Sequence, residues 1–490
     1  MKQHFLLYSL FFILFNCSSL QKPNIILIVV DDLGWTDLSF TGSNLYQTPS
    51  VDKLAKEGTY FTNAYASCTV CSPTRASIMT GKYPATLHCT DWISGHKKPF
   101  AKMNIPNWTE FLDPNEITLP EHLKSAGYNT IHIGKWHLGE DQKYWPEHQG
   151  FDKNIGGWSV GMPQKGNNSN GYFSPYANPR LSDGIKDEYL TERLSDEAVK
   201  YIKNNKDSDS PFFINLWFYN VHVPLQAKQE KIDKYKNLVV QDGNHKNATY
   251  AAMIEHMDDA VGKITTILKE LDIDKNTIII FTSDNGGLVS ERQITSNKPL
   301  REGKGGMYEG GVRVPFIIKW PHKIAKEKII EMPIISNDIL PTLLGLVKEN
   351  KLIKNDTDGI DLSPLLLKDK LIKREALYWH YPHYHRQGAK PYSAIRKGDW
   401  KLIEIFEQDT LELYNLKDDI SESKNLLHSH PDKAKELHKD LINWRKQVNA
   451  QLPNTNKNYN KAYENLWIPN KWKSKPEREF IEYILNSEKL

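Results

Sequence analysis

The clearest pattern along the chain is a set of short apolar runs, each followed by polar side chains. The first run ends at residue 30 and is followed by Asp31 and Asp32. Because residues 25–30 include no polar position, they predict a strand that is buried on both faces, as in a parallel sheet. Three later runs repeat this design: residues 130–134 before Lys135 and His137, residues 212–218 before Asn220 and His222, and residues 277–282 before Asp284 and Asn285.

Segments with apolar residues at helical spacing lie between these strands. The first covers about residues 50–58, with Ser50 as the predicted N-cap, and others cover about 119–126, 191–203 and 250–271. The alternation of strands and helices predicts an α/β fold whose sheet carries helices on both faces. In such folds ligands bind at the carboxyl ends of the strands, and the polar residues fall at those ends.

The pattern changes after about residue 370. Short aromatic runs at 376–381, 392–396, 400–404 and 411–414 are separated by turn residues and predict a small antiparallel sheet. A helix with apolar residues at helical spacing follows from Pro431 to about Trp444. We therefore divide the mature chain into a large α/β domain (residues 21–370) and a C-terminal α+β subdomain with a tail (residues 371–490). The pattern assigns no structure to the tail after about Pro453.

The first twenty residues predict an export signal. Lys2 and His4 precede an almost wholly apolar run, residues 5–15, which is too short to favour a membrane-spanning helix. Cys17 leaves two interpretations open: lipidation of Cys17 that anchors the protein to a membrane, or plain cleavage that leaves a mature chain beginning near Gln21. Both predict an exported protein in the periplasm, at the cell surface or in the medium.

Composition and charge exclude some functions. Hydrophobic residues make up 39% and charged residues 25% of the chain, which is typical of a globular protein. The 63 basic and 60 acidic residues give a net charge of +3, which provides no case for nucleic-acid binding as the main function. A local basic pocket for an anionic substrate remains compatible with this balance.

Residues 71–81, Cys-Ser-Pro-Thr-Arg-Ala-Ser-Ile-Met-Thr-Gly, form the most specific segment. Ser72 suits an N-cap and Pro73 a first turn, so Cys71 is predicted just before a helix N-terminus. Free N–H groups and the helix dipole attract anions at that position. The segment resembles the signature of type I sulfatases, in the alkaline-phosphatase superfamily, and the resemblance extends from about residue 23 to 444.

The resemblance implies a fold, a modification and a partner. It implies an alkaline-phosphatase-like large mixed sheet flanked by helices, with a smaller C-terminal antiparallel sheet plus helix. It implies that a formylglycine-generating enzyme recognises Pro73 and Arg75 and oxidises Cys71 to Cα-formylglycine (3-oxoalanine), whose hydrate is the nucleophile. If Cys17 is removed or lipidated and Cys71 is modified, Cys68 and Cys89 remain as one pair available for a disulfide, which the sequence alone does not establish.

Asp31, Asp32, Asp284 and Asn285 supply oxygen donors at the ends of two predicted strands. An oxygen-only set suits Ca²⁺ or Mg²⁺ rather than zinc. Taken alone, each pair is also typical of a turn or a helix cap. The resemblance favours one Ca²⁺ per chain, with residue 71 as a further ligand.

Three further blocks, at residues 134–139, 220–224 and 303–315, resemble the same family. The resemblance implies that Lys135 and Lys304 bind the sulfate group, that His137 acts as a base and that His222 protonates the leaving alcohol. It also implies that Arg75 is a catalytic residue, near which the attacking hydroxyl of residue 71 is activated. Further aromatic and basic residues are candidates for a pocket around a sugar, although core packing is the alternative for each: Trp92, His96, Trp158, His380, His383, His385 and Arg386.

These features predict hydrolysis of sulfate esters on carbohydrate. The chain resembles bacterial polysaccharide sulfatases and arylsulfatases, so candidate substrates are ulvan, carrageenan, fucoidan and glycosaminoglycan fragments. One alternative is a phosphomonoesterase or phosphodiesterase of the same superfamily, which normally has a Ser or Thr nucleophile and additional His ligands for zinc. The other is a non-catalytic carbohydrate-binding relative, which would lack some of the catalytic residues.

Overall fold

The computed structural model of the protein describes residues 22–166, 168–238, 244–289, 293–349 and 356–469, together with residues 479, 482, 483 and 486. The predicted export signal, including Cys17, lies outside the described residues. Within these ranges, no helix has both the length and the apolar character that a bilayer crossing requires.

The strands in the described ranges are numbered in chain order: Asn24–Val30 (β1), Thr59–Phe61 (β2), Ala64–Tyr65 (β3), His96–Lys97 (β4), Met103–Asn104 (β5), Asn129–Gly134 (β6), Lys153–Ile155 (β7), Lys165–Gly166 (β8), Ser169–Asn170 (β9), Phe212–Trp217 (β10), Thr277–Ser283 (β11), Phe316–Lys319 (β12), Lys328–Ile330 (β13), Ile334–Ile335 (β14), Leu377–Tyr381 (β15), Tyr392–Lys397 (β16), Trp400–Ile405 (β17), Thr410–Asn415 (β18), Asn454–Thr455 (β19) and Ile468–Pro469 (β20).

The α-helices in the same ranges are Pro49–Lys56 (α1), Cys71–Thr80 (α2), Pro84–Leu87 (α3), Leu119–Ser125 (α4), Leu190–Asn205 (α5), Gln229–Lys236 (α6), Ala248–Glu270 (α7), Glu309–Val312 (α8), Ile339–Leu346 (α9), Ser363–Lys368 (α10) and Pro431–Gln447 (α11).

The main sheet has eight strands in the order β13-β2-β12-β11-β1-β10-β6-β7. Strands β11, β1, β10, β6 and β7 run parallel to one another, whereas β12 is antiparallel to both β11 and β2. The sheet is therefore mixed, as the family resemblance implied. All four strands predicted from the long apolar runs lie in its parallel part.

Helices cover both faces of this sheet because its central strand is apolar at every position after Asn24. On β1, Ile26, Ile28 and Val30 pack into a core with α1, α5, α6 and α7. The alternate residues Ile25, Leu27 and Val29 pack into a second core with α2, α4, α9 and α10. Since successive side chains of a strand point to opposite faces, a strand without polar positions fits only between two cores.

The C-terminal part of the chain forms a four-stranded antiparallel sheet, β15-β16-β17-β18. Helix α11 packs on it through Ala434, Leu437, Leu441 and Trp444, and this confirms the predicted sheet plus helix. The tail also contains structure that the pattern does not indicate, since β19 pairs with β5 and β20 pairs with β4. A domain boundary near residue 370 stays a prediction.

Helix α1 begins one residue before the predicted N-cap, so the assignment of Ser50 as the cap is wrong. Pro49 occupies the first helical position, where its fixed φ is suited and no N–H is needed. The carboxylate of Asp258 accepts hydrogen bonds from the backbone N–H groups of Ser50 (3.0 Å) and Val51 (2.8 Å). A side chain from α7 therefore satisfies the free N–H groups of this helix.

A buried ionic cluster joins the small sheet to the catalytic part of the chain. The ammonium of Lys401, on β17, lies 3.0 Å from a carboxylate oxygen of Glu309 on α8 and 2.8 Å from one of Glu422. Glu309 also accepts a hydrogen bond from Tyr65 (2.6 Å) and lies 3.5 Å from Arg313. Because these side chains are almost fully buried, removing one charge leaves its partners without compensation.

We therefore expect Lys401→Ala to lower the free energy of unfolding by about 3–5 kcal/mol, as is typical for breaking a buried ion pair. The matched control is Lys397→Ala, because the half-exposed Lys397 pairs with Glu436 and Asp440 at the surface. Removing a surface pair costs at most about 1 kcal/mol. Urea unfolding of both variants checks the difference, and equal losses would contradict the role assigned to the buried cluster.

Candidate active site

The polar residues that follow four parallel strands converge at one edge of the main sheet. Asp31 and Asp32 follow β1, and Asp284 and Asn285 follow β11, which pairs with β1 from Asn24 to Val30. Lys135 follows β6 on the other side of β10. Parallel strands end at the same edge, so the loops after them form a single site.

Three carboxylates and three cations form a buried cluster at this edge. Arg75 places Nε 2.8 Å and a terminal nitrogen 2.7 Å from Oδ2 of Asp284. Lys135 Nζ lies 2.7 Å from Asp31 Oδ2. Lys304 Nζ lies 2.7 Å from Asp32 Oδ1 and 2.9 Å from Oδ2. Buried charges are stable only when they are paired in this way.

The three carboxyl groups differ in how well they are neutralised. Burial raises the pKa of all three, and at Asp31 it prevails, so the pKa of Asp31 lies well above its ordinary value. At Asp32, Lys304 and His222 outweigh burial and lower the pKa. At Asp284, Arg75 outweighs burial and also lowers the pKa. Asp31 is therefore the carboxylate with the least compensation.

The free oxygens of this cluster fit a divalent metal ion. Asp31 Oδ1 and Asn285 Oδ1 are buried and accept no hydrogen bond within the described part of the chain. Donor atoms of Asp31, Asp32 and His222 lie within 4.8 Å of one another, and Asp284 Oδ1 accepts a hydrogen bond from the Asp32 backbone (3.2 Å). Because Ca²⁺ prefers oxygen ligands, the donor set fits calcium best if it uses the Asp and Asn oxygens and not His222.

Cys71 is the first residue of helix α2, and its thiol faces His137, with Sγ 3.3 Å from Nδ1. The predicted N-cap role of Ser72 is wrong, because α2 already begins at Cys71. The Ser72 hydroxyl instead accepts a hydrogen bond from the backbone of Ile93 (3.1 Å). Position 71 still lies at a helix N-terminus, where the free N–H groups create a positive potential.

The hydrogen bonds of the two histidines determine which ring nitrogen carries the proton. His137 Nε2 must donate, because its partner is the carbonyl oxygen of Ile93. Nδ1, which faces Cys71, is then the unprotonated nitrogen of the neutral ring. His222 Nδ1 likewise donates to the carbonyl of Val223 (2.8 Å), which leaves Nε2 facing Asp32 at 3.7 Å. Burial, reinforced by nearby lysines, lowers the pKa of His137 well below its ordinary value and that of His222 to about 3.

A cavity of about 700 Å³ opens above this cluster. Cys71, His137, His222 and Lys304 line its floor. Lys135 is fully buried and does not line it, so direct sulfate binding by Lys135 stays a prediction. Of the candidate sugar-pocket residues, four line the cavity: Trp92, His96, His385 and Arg386.

Trp158, His380 and His383 do not line this cavity. His380 bonds to the Ser393 hydroxyl (2.7 Å) and the Gln451 carbonyl (2.8 Å), and His383 is buried against Thr90 (2.7 Å). Both histidines therefore have structural roles. Cys68 and Cys89 are buried free thiols, so the available disulfide is not formed.

Two features of the site gave no sequence signal. The carbonyl of Ile93 orients His137, and any residue could supply a carbonyl. Trp217, the last residue of β10, lies under the guanidinium of Arg75, 5.0 Å from ring centroid to Cζ. Trp217 belongs to an apolar run and has no polar feature that distinguishes it from a core residue. Asn220, in contrast, bonds to Thr191 and the backbone of Met253 and supports the loop.

Comparison with known proteins identifies the family of the chain. The family model described as sulfatase matches residues 23–349, and the model described as N-sulphoglucosamine sulphohydrolase, C-terminal, matches residues 303–449. The chain is 32% identical to a sulfatase of Formosa agariphila, over 88% of this chain and 90% of the relative. It is 30% identical to N-acetylgalactosamine-6-sulfatase of Mus musculus, over 73% of this chain and 69% of the relative.

Solved structures give the same result. Ps i-CgsB, solved in complex with k-i-k-neocarrahexaose, superposes with a TM-score of 0.74 at 28% identity and covers 95% of this chain and 98% of its own. A phosphonate monoester hydrolase of Agrobacterium radiobacter, at 20% identity and a TM-score of 0.63, shares the fold alone. The predicted alkaline-phosphatase-like architecture is thereby confirmed, and the phosphoesterase alternative gains no support beyond the fold. The chain belongs to the sulfatase family and is a sulfuric ester hydrolase.

Proposed function

We propose that the protein removes sulfate from sulfated saccharides, with formylglycine made from Cys71 and one Ca²⁺ as its reactive groups. One observation carries this proposal. The Cys71 side chain lies at a helix N-terminus, 3.3 Å from the unprotonated nitrogen of His137, on the floor of a cavity above the buried charge cluster. A sulfate ester bound there meets a nucleophile, a base and several positive charges together.

The residues present define how the reactive groups are held. Asp31, Asp32, Asp284 and Asn285 would hold Ca²⁺ together with residue 71. When bound, Ca²⁺ and the hydrated aldehyde supply positive charge for the sulfate oxygens and a two-hydroxyl nucleophile. Arg75 keeps Asp284 in place through two nitrogens, so it orients a metal ligand.

The chain's own side chains handle charge and protons. Lys304, which lines the cavity, neutralises sulfate oxygens as negative charge grows in the transition state. His137, neutral and with Nδ1 facing position 71, accepts a proton from that position. His222 lines the cavity with Nε2 near Asp32, and it is the group placed to protonate the departing sugar oxygen once the bound sulfate adds negative charge beside it.

Maturation must precede folding. Every residue of α2 is buried, and Cys71 is only 3% exposed. An oxidising enzyme that recognises Pro73 and Arg75 has no access to them in the folded protein. A formylglycine-generating enzyme is therefore a partner of the unfolded chain, in keeping with an exported protein that is modified before or during secretion.

Several observations support a saccharide as the substrate. Trp92 and His96 present ring surfaces at the cavity, and sugars bind to such surfaces through their C–H faces. Two of the similar proteins are N-acetylgalactosamine-6-sulfatase of Mus musculus and N-acetylgalactosamine-6-O-sulfatase of Bacteroides thetaiotaomicron, and Ps i-CgsB was solved with k-i-k-neocarrahexaose. Algal sulfated polysaccharides and glycosaminoglycan fragments are therefore the substrate classes to test.

The activity test uses protein co-produced with a formylglycine-generating enzyme and loaded with Ca²⁺. We expect free sulfate to be released from at least one member of a panel of carrageenan, ulvan, fucoidan and glycosaminoglycan oligosaccharides and an aryl sulfate. Cys71→Ala should abolish release, whereas Cys89→Ala, which removes another buried thiol, should retain it. Mass spectrometry confirms conversion of Cys71 in the wild type. If protein with Cys71 converted to formylglycine released no sulfate from any member of the panel, the proposal would be contradicted.

Metal binding is tested by thermal unfolding. We expect Ca²⁺ at about 100 times its Kd to stabilise the wild type by about 2.7 kcal/mol, because only the folded chain assembles the ligands. Asp31→Asn and Asn285→Ala should reduce this gain strongly.

The matched control is Asp258→Asn, which alters a buried carboxylate that caps α1 instead of facing the cluster. It should lower the melting temperature but keep the full Ca²⁺ response. A Ca²⁺ response that Asp31→Asn leaves unchanged, or a larger response to Zn²⁺ than to Ca²⁺, would count against the assigned site.

A further inference from the structure

The tail of the chain returns to the rim of the cavity and is fastened there. Strand β20 pairs with β4, which contains His96, and β19 pairs with β5. The side-chain amide of Asn456 donates to the carbonyl oxygens of Pro99 (2.8 Å) and Ala101 (2.7 Å). Ile468 packs on Phe100 in a small separate core. The tail therefore determines the position of one wall of the cavity.

This contact brings Trp467 beside two residues that line the cavity. The Trp467 ring lies 6.1 Å from His96, and His96 lies 4.7 Å from Trp92, in each case between ring centroids. The guanidinium of Arg386 lies over the Trp467 ring, with Cζ 5.8 Å from the ring centroid. Lys98 lies over Trp467 as well, at 5.0 Å.

Positive charge on this rim is only partly neutralised. Arg386 is exposed, lines the cavity and makes neither a hydrogen bond nor an ion pair with any residue in the described ranges. Lys98 has Glu407 and Glu464 in its surroundings, but Glu407 is paired with Lys390 at 3.1 Å. The acidic residues that line the cavity are Glu140 and Asp141, which belong to the loop after His137.

On the basis of the proposed function, we propose that Trp92, His96 and Arg386 form a second sugar subsite, which takes a saccharide unit that carries a carboxylate or a second sulfate. Aromatic rings contact the sugar face, and the planar guanidinium forms two parallel hydrogen bonds to an oxyanion. Trp467 is a positioning residue. By stacking against Arg386 it reduces the side-chain freedom that the guanidinium loses on binding.

The volume agrees with this assignment. A cavity of about 700 Å³ lies within the range of pockets that enclose ligands of drug size, so it has room beyond one sulfated ring. The reacting sulfate would lie over Cys71, and the adjoining unit would lie between Trp92 and Arg386. The enzyme would then distinguish oligosaccharides by the charge of the neighbouring unit.

Binding, measured without turnover, tests this proposal. Full-length Cys71→Ala protein is applied to an array of sulfated glycosaminoglycan, carrageenan, fucoidan and ulvan oligosaccharides. Each is present with the neighbouring unit charged by a carboxylate, charged by a second sulfate, or made neutral by carboxyl esterification or desulfation. We expect about 10-fold tighter binding to at least one charged form than to its neutral partner, as for a charge-assisted bidentate contact. The two charged arms show which anion is preferred.

The preference should fall to about 2-fold when Arg386→Ala is added, and Trp467→Ala should reduce it while Trp467→Phe restores most of it. The matched control is Lys153→Ala, which removes one cation that lies over an aromatic ring, Tyr201, away from the cavity. It should leave the preference unchanged.

The proposal would be overturned if the protein bound no oligosaccharide of the array, or bound charged and neutral forms equally well. It would also be overturned if the preference for the charged form survived both Arg386→Ala and Trp467→Ala. Equal loss of charged and neutral forms in Trp467→Ala would also overturn it, because a purely structural role has that effect. The result is separable from the catalytic proposal. Preference without turnover by the wild type would refute only the catalysis, and turnover without preference would refute only the subsite.

Discussion

The pairing of three buried carboxylates with two buried cations and the partly buried Lys304 is the constraint on which the rest of the structure depends. Asp31 and Asp32 follow strand β1, and Asp284 follows the adjacent strand β11. Their partners are Arg75 on helix α2 and two loop residues, Lys135 and Lys304. A buried charge without its partner costs several kcal/mol. The strands, α2 and the loop that contains Lys304 are therefore held in one arrangement by the groups that also form the floor of the cavity.

Around this cluster each further element adds one property. Helix α2 directs its N-terminus at the cavity and buries the whole maturation segment. The small C-terminal sheet, joined through Lys401, brings His385 and Arg386 to the rim. The tail then closes the same wall from the outside. The walls of the cavity thus come from loops of the main sheet, from the small C-terminal sheet and from the contact between the tail and β4.

Much of this arrangement could be predicted from the sequence because its signals are local. The strand before Asp31 has no polar position, and Cys71 lies in a long matched segment. The rest depends on distant partners. Ser72 is not a cap because α2 begins at Cys71, and its hydroxyl accepts a hydrogen bond from the backbone N–H of Ile93. His380 does not line the cavity, and its ring nitrogens bond to Ser393 and Gln451. The two-residue strands of the tail are too short to produce a periodic pattern.

The most direct test of the account is a crystal structure of protein matured in the presence of Ca²⁺ and soaked with sulfate. We predict one Ca²⁺ at about 2.3–2.6 Å from its oxygen ligands, with formylglycine at position 71 near His137 Nδ1. The ligands would be oxygens of Asp31, Asp32, Asp284 and Asn285. An unmodified Cys71 in active protein, or an ion held by His222 and away from Asn285, would contradict the account.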